Sequence, residues 1–142
     1  MTNTPLNAEV EIAIRRALQD SWSDRTQSPF DPANPSYNQC SQTAIVVSES
    51  FGGEILKTEV RTKDGFTYSH FYNRIGGQRY DFTAAQFEPL DYCEKIEYHD
   101  APSSVSEAQA GLQGLQLSNM RSAFAQSILR HLPSKKIAEA PA

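Results

Sequence analysis

Apolar side chains repeat along the chain with the spacing of helices in some stretches and of strands in others. Between residues 7 and 20, Val10, Ile14 and Leu18 recur every four positions, which places them on one face of a helix. Asn7 precedes this stripe and is a suitable N-cap, because its side chain can accept a hydrogen bond from a free backbone amide. The pattern predicts an N-terminal helix that packs against the core through this stripe.

A similar stripe lies near the other end of the chain, over residues 118–132. Met120, Phe124 and Ile128 are spaced by four, and Ser118 precedes them as the predicted N-cap. The pattern therefore predicts a C-terminal helix. Residues 134–142 show no such periodicity, and we expect them to form a flexible tail.

Residues 39–51 are apolar on nearly every side, from Ala44 to Val47, which is typical of a helix buried at the centre of a domain. The β-branched run is also compatible with a strand. Gly52-Gly53 favours the helix, because glycine is common just after a helix C-terminus. Cys40 then lies at the helix N-terminus, where unpaired amides and the helix dipole lower the pKa of a thiol.

Strand-like segments follow this helix, first at residues 53–61 and then on both sides of Gly76-Gly77. Two glycines between aromatic and β-branched runs indicate a two-residue hairpin loop. That loop pairs Arg74 with Arg79 and places His70 and Asp81 on the same face of the sheet, as diagonal neighbours.

The segment after the hairpin is less regular. Thr83 is a possible cap for one helical turn over residues 84–86, and Lys95 to Tyr98 resembles a further short strand that Pro102 would interrupt. The whole pattern predicts an α+β fold in which the Cys40 helix packs on an antiparallel sheet of three to five strands. The two terminal helices flank this core.

Composition limits the classes of function. The chain has 142 residues, 39% hydrophobic and 21% charged, with a net charge of −4, which suits a single globular domain over residues 1–133. A non-specific nucleic-acid binder is disfavoured because it would carry a basic face. No apolar run reaches the length of a membrane span, and no signal-peptide pattern begins the chain, so we expect a cytoplasmic protein. Two cysteines, Cys40 and Cys93, are expected as free thiols.

Cys40, His70 and Asp81 together suggest a catalytic triad. Cys40 would be the nucleophile as a thiolate, His70 would transfer protons, and Asp81 would orient the imidazole. The Cys40 amide, with a side-chain donor from Asn38 or Gln39, would hold the oxyanion.

Trp22 has two interpretations. It is either a core residue or a wall of this site, because the loop that follows it leads to Cys40.

The chain also resembles the small bacterial YunG-like proteins. The resemblance covers roughly residues 14–132 and depends on short motifs, namely Trp22-Ser23, Asn38-Gln39-Cys40, Gly52-Gly53, His70 to Arg74, Asp81-Phe82-Thr83 and Gln86-Phe87. Asn38 stands where the family usually has glycine, and Tyr72 where it usually has tryptophan. The order of a helical cysteine followed by histidine and aspartate on strands is similar to that of papain-like and transglutaminase-like cysteine enzymes.

These patterns predict a hydrolase or acyl transferase that attacks an amide or (thio)ester of a small molecule or peptide, without a cofactor. One alternative is a non-catalytic domain that binds a partner and keeps the site as scaffold. Another is a zinc site formed by the three residues with Cys93 or His99, although no close pair of ligands supports it. Asn73 is a third possibility, as the partner of His70 in place of Asp81, but the alternation along the strand points it to the opposite face.

Overall fold

Four α-helices and four strands make up residues 4–133, which are the residues that the computed structural model describes. The helices are α1 (Ala8–Ser21), α2 (Cys40–Phe51), α3 (Val105–Gln109) and α4 (Gln116–His131). The strands are β1 (Glu54–Arg61), β2 (Thr67–Ile75), β3 (Gln78–Tyr80) and β4 (Ala101–Pro102), and a 3-10 turn covers Ala84–Phe87. The predicted tail at 134–142 lies outside the described residues.

The strands form one antiparallel sheet in the order β3-β2-β1-β4, within the predicted range of three to five strands. Gly76 and Gly77 join β2 to β3 with φ angles of 58° and 80°, which glycine adopts without strain. Arg74 pairs with Arg79, so the predicted register is confirmed. β3 is short and pairs only with the last three residues of β2.

Helix α2 is buried on both sides, which accounts for its apolar composition. One side packs with α1, α4 and the end of the hairpin in the larger hydrophobic cluster. The other side packs on the sheet through Ala44 and Ile45 against Ile55 and Phe71. Asn73 adds a polar link, because its Nδ2 donates to the Ala44 carbonyl at 3.0 Å, on the face opposite His70 as predicted.

Helix α1 begins as predicted, since the Asn7 side chain accepts from the Val10 amide at 2.9 Å. Helix α4 does not begin as predicted. It starts at Gln116, two residues before Ser118, and no side chain caps it. The Gln116 side chain instead accepts from the backbone amide of Gln113 at 2.9 Å.

The predicted strand at Lys95 to Tyr98 is wrong. These residues have no regular structure, and the strand of this region is β4, where Pro102 pairs with Leu56 of β1. Proline is tolerated there because β4 is the edge strand of the sheet. Proline has no amide proton to donate, and at an edge strand a proton that would point to solvent is not needed. Among residues 4–133, none of the helices has the length and hydrophobicity that crossing a membrane would require.

Candidate active site

Cys40 is the first residue of α2, and the backbone turns sharply just before it. Asn38 has a φ angle of 58°, in the left-handed region that favours glycine and that asparagine tolerates better than most residues. This conformation explains how Asn38 can stand where the YunG-like pattern has glycine. Gln39 then occupies the N-cap position without a capping hydrogen bond from its side chain. The turn leaves the partly exposed Cys40 thiol at the positive end of the helix dipole.

The pKa of Cys40 reflects two opposing influences. Burial raises the pKa of the thiol, because a thiolate is poorly solvated inside a protein. The neighbouring His70, as hydrogen-bond partner and as a positive charge, lowers it. Smaller contributions in the same direction come from the Phe71 backbone and the Ser41 side chain. The net pKa lies below the ordinary value, so the protein favours a thiolate at this position.

His70 is held on three sides. Its side chain is 1% exposed, and its Nε2 lies 2.7 Å from Oδ2 of Asp81. The Phe87 ring meets the imidazole edge-on, with centroids 5.0 Å apart, and Tyr72 stacks on it at 5.8 Å. Because Asp81 occupies Nε2, Nδ1 is the ring nitrogen left for Cys40, and Nδ1 has no regular hydrogen bond to the described residues. Burial lowers the pKa of His70, but Asp81 and Cys40 raise it to about 9.

Asp81 follows directly after β3, and its carboxylate accepts hydrogen bonds from three residues. Besides His70, the Tyr98 hydroxyl donates to Oδ2 at 2.7 Å. The Thr83 amide and hydroxyl approach Oδ1 at 3.2 and 3.4 Å. Thr83 therefore anchors Asp81 and does not cap the 3-10 turn that follows it. The carboxylate is 6% exposed, and these donors keep its charge satisfied.

Tyr98 was not expected at the site. It lies in the irregular segment before β4, and the Thr58 hydroxyl holds that segment by donating to Glu97 and accepting from the His99 amide, at 2.6 and 3.2 Å. Thr58 is the β1 residue that pairs with His70 across the sheet. The same strand pair thus positions two of the three residues that bond Asp81, namely His70 and Tyr98.

A second set of contacts supports the same face of the sheet. The Tyr72 hydroxyl donates to Oδ1 of Asp100 at 2.9 Å, and Arg79 binds both oxygens of Asp100 at 2.9 and 2.6 Å. The Arg79 guanidinium also lies over the Tyr98 ring, 4.4 Å from its centroid.

Cys40 and His70 open into a cavity of about 160 Å³. Its walls are largely aromatic, with Tyr37, Tyr68, Phe87 and Tyr92. The second cysteine, Cys93, lines the same cavity, and the polar side chains there include Asn38 and Gln86. A small group with an apolar or aromatic surface fits this lining better than a highly charged one.

Two residues predicted at the site lie elsewhere. Trp22 belongs to the hydrophobic core, where its Nε1 donates to Oγ1 of Thr43 at 2.9 Å, so its interpretation as a core residue is correct. Gln39 is fully buried, and its side-chain oxygen accepts from Gln42 at 3.0 Å. Neither residue lines the cavity. Asn38 does line the cavity, as its predicted role requires. Gln86 also lines it, although the sequence pattern predicted no role for Gln86 at the site.

The metal alternative finds no support among residues 4–133. They contain no group of three or more His, Cys, Asp or Glu side chains placed to hold a metal ion. His99, one of the suggested ligands, lines a different groove from the one that Cys40 opens into.

Comparison with known proteins agrees with the YunG-like resemblance of the sequence motifs. The model of the family described as YunG protein matches residues 11–128. A YunG protein from Bacillus subtilis (strain 168) is 38% identical over 121 residues, which cover 85% of this chain and 93% of the relative. No solved structure matches the chain.

Proposed function

The chain belongs to the YunG family, and we propose that it is a cysteine-dependent hydrolase or acyl transferase acting on an amide or (thio)ester. The observation that carries the proposal is the arrangement around His70. One nitrogen of the imidazole bonds the buried Asp81 at 2.7 Å, and its neighbour on the other side is Cys40 at the start of α2.

The reaction follows from these positions. The Cys40 thiolate attacks the carbonyl carbon of the substrate, and a C–S bond forms while the carbonyl electron pair moves to oxygen. Collapse of this tetrahedral intermediate expels the amine, alcohol or thiol, which takes its proton from the His70 imidazolium. His70 then removes a proton from water or another acceptor, whose attack on the thioester releases the acyl group and restores the thiolate. Asp81 stabilises the imidazolium throughout.

The order of the groups also supports this reaction class. A cysteine at a helix N-terminus, followed along the chain by histidine and then aspartate on the adjoining antiparallel strands, is the arrangement of papain-like and transglutaminase-like enzymes. The proposal is therefore a papain-like core within the α+β fold. The substrate would be a small molecule or a peptide whose acyl group fits the cavity.

Acylation by p-nitrophenyl acetate tests the proposal without knowledge of the natural substrate. We expect Cys40 to form an acetyl thioester faster than free cysteine does at neutral pH, and the thioester to hydrolyse so that nitrophenol release continues. Cys40→Ala should abolish both steps. Cys93→Ala is the matched control, since it removes the other thiol of the cavity, and it should retain them.

Equal acetylation of Cys40 and Cys93, at the rate of free cysteine, would contradict the proposal. It would favour a non-catalytic domain that binds a partner.

A further inference from the structure

Gln86 is a buried polar residue of the cavity that has one hydrogen-bond donor without a partner. The residue is 3% exposed and lies in the 3-10 turn that follows Asp81. Its Nε2 makes no hydrogen bond to the residues that the structure describes. A buried donor left unpaired destabilises the folded protein, so such a group calls for an explanation.

The orientation of the Gln86 amide is fixed by its neighbours. The Asn38 backbone N–H donates to Oε1 at 3.1 Å, which identifies this atom as the oxygen and leaves Nε2 as the free end. Asn34 holds the backbone of the same residue, because its Nδ2 donates to the Gln86 carbonyl at 2.9 Å. The side-chain oxygen and the backbone carbonyl of Gln86 are thus both hydrogen-bonded, and one of the donors, Asn38, lies two residues before Cys40.

We propose that the Gln86 amide binds the carbonyl oxygen of the substrate and stabilises the oxyanion that forms when Cys40 attacks. This inference rests on the proposed function. It assigns the substrate class as a carbonyl compound with a hydrogen-bond-accepting oxygen. As the C–S bond forms, the carbonyl electron pair moves to this oxygen, and the Nε2 donor meets a full negative charge there. A donor fixed before the reaction contributes more than one that must reorganise.

Gln39 is the rival donor, because it precedes Cys40 directly and its Nε2 is also unpaired. Two observations favour Gln86. Gln86 lines the cavity into which Cys40 and His70 open, and Gln39 does not. The Gln39 side-chain oxygen also accepts from Gln42 at 3.0 Å, and Gln42 in turn donates to the Thr26 carbonyl at 2.7 Å, neither of which lines the cavity.

The test compares two reactions of the same thiol. Acetylation by p-nitrophenyl acetate passes through an oxyanion, whereas alkylation by iodoacetamide displaces iodide at a saturated carbon and forms none.

Gln86→Glu keeps the acceptor for Asn38 but loses the donor, and Gln86→Met loses both with little change in size. We expect each variant to acetylate about 100-fold more slowly, from the usual effect of one oxyanion donor. Both rates are measured at a pH above the Cys40 titration midpoint of each variant, so that a change in thiol pKa does not affect them. Under this condition the alkylation rate should change less than about threefold.

Gln126→Glu, an exposed residue of α4, is the matched control and should leave both rates unchanged. Circular dichroism identifies any variant that fails to fold, and the remaining Gln86 variant then decides the outcome. If Gln86 variants acetylate at the wild-type rate while Gln39→Met is slow, Gln39 is the donor and the inference is wrong. Parallel loss of acetylation and alkylation in both Gln86 variants would mean that Gln86 acts only on the thiol, which also overturns it.

Failure of the proposed function gives a different result. Wild-type Cys40 would then acetylate no faster than free cysteine. The oxyanion role of Gln86 would be overturned together with the proposed reaction.

Discussion

Cys40 and Cys93 line the same cavity, yet the protein treats their thiols in opposite ways. Burial raises the pKa of Cys93, and no neighbouring charge compensates among the groups that affect it. Burial also raises the pKa of Cys40, but His70, with smaller contributions from the Phe71 backbone and the Ser41 side chain, outweighs this and lowers it. The cavity therefore does not activate a thiol by itself. A helix N-terminus and an imidazolium held by a buried carboxylate distinguish the cysteine whose pKa is lowered from the one whose pKa is raised.

His70→Ala should have the largest effect on the difference in pKa between Cys40 and Cys93, because it removes the charge that offsets the burial of Cys40. We expect the pKa of Cys40 to rise to that of Cys93 or above. Alkylation at neutral pH should fall about tenfold, since the thiolate fraction drops to a few per cent while each thiolate becomes somewhat more nucleophilic. Mass spectrometry after limited treatment with iodoacetamide measures both thiols in one sample.

His99→Ala is the control for this variant, since His99 is exposed and lies outside the cavity. It should leave the rates of both thiols unchanged. A wild-type rate in His70→Ala would mean that the helix N-terminus alone activates Cys40.

Asp81→Asn should reduce the difference between the thiols by a smaller amount, about three- to fivefold in the alkylation rate, because the imidazolium loses its counter-charge but keeps an acceptor. The fold should be retained at a cost of about 1–3 kcal/mol. The exposed Asp91→Asn is the control.

The effect of Asp81 on stability should depend on pH in a defined direction. The folded pKa of His70 is raised from 6.5 to about 9, so the stabilisation from its pairing with Asp81 is complete below 6.5 and lost as pH rises through about 9. The difference in unfolding free energy between the wild type and Asp81→Asn should shrink over this interval, as urea titrations can measure. A difference that grows with pH would show that Asp81 stabilises the fold by another route.

Tyr98→Phe should have the smallest effect on reactivity, less than about twofold, because the hydroxyl contacts Asp81 and not the thiol. Its effect on stability should be clearer, with a loss of about 1–2 kcal/mol for a buried hydrogen bond to a carboxylate. Tyr68→Phe, at an exposed position of β2, provides the control for the effect of losing a hydroxyl on stability alone, because Tyr68 also lines the cavity. A large loss of thiol reactivity in Tyr98→Phe would mean that Tyr98 positions Asp81 for His70.

The sequence predicted the parts of the molecule that local interactions determine. The Gly76-Gly77 loop fixes the register of the hairpin, and that register alone places His70 and Asp81 on the same face. Helix α1 follows from its apolar stripe and from the Asn7 cap. Each of these features depends only on residues that are close in sequence or directly opposite each other in a hairpin.

The parts that it missed depend on contacts between distant residues. Tyr98 reaches Asp81 because Thr58 of the neighbouring strand β1 holds an irregular segment, and no periodicity marks that segment. Gln86 enters the cavity because the unusual backbone of Asn38 brings an amide proton to its side chain. The strand predicted at 95–98 is wrong for the same reason, since Pro102, which is typical of a strand end, instead pairs with Leu56 of a distant strand at the edge of the sheet.

The pH dependence of alkylation of the two thiols tests the central claim most directly. Wild-type protein is treated with limiting iodoacetamide from about pH 5 to about pH 10, a range that spans the ordinary thiol pKa of about 8.5. Peptide mass spectrometry then gives the rate at each cysteine. We expect Cys40 to titrate with a midpoint clearly below the ordinary value and Cys93 with one above it. Coincident midpoints near 8.5 would contradict an activated Cys40 and, with it, the proposed reaction.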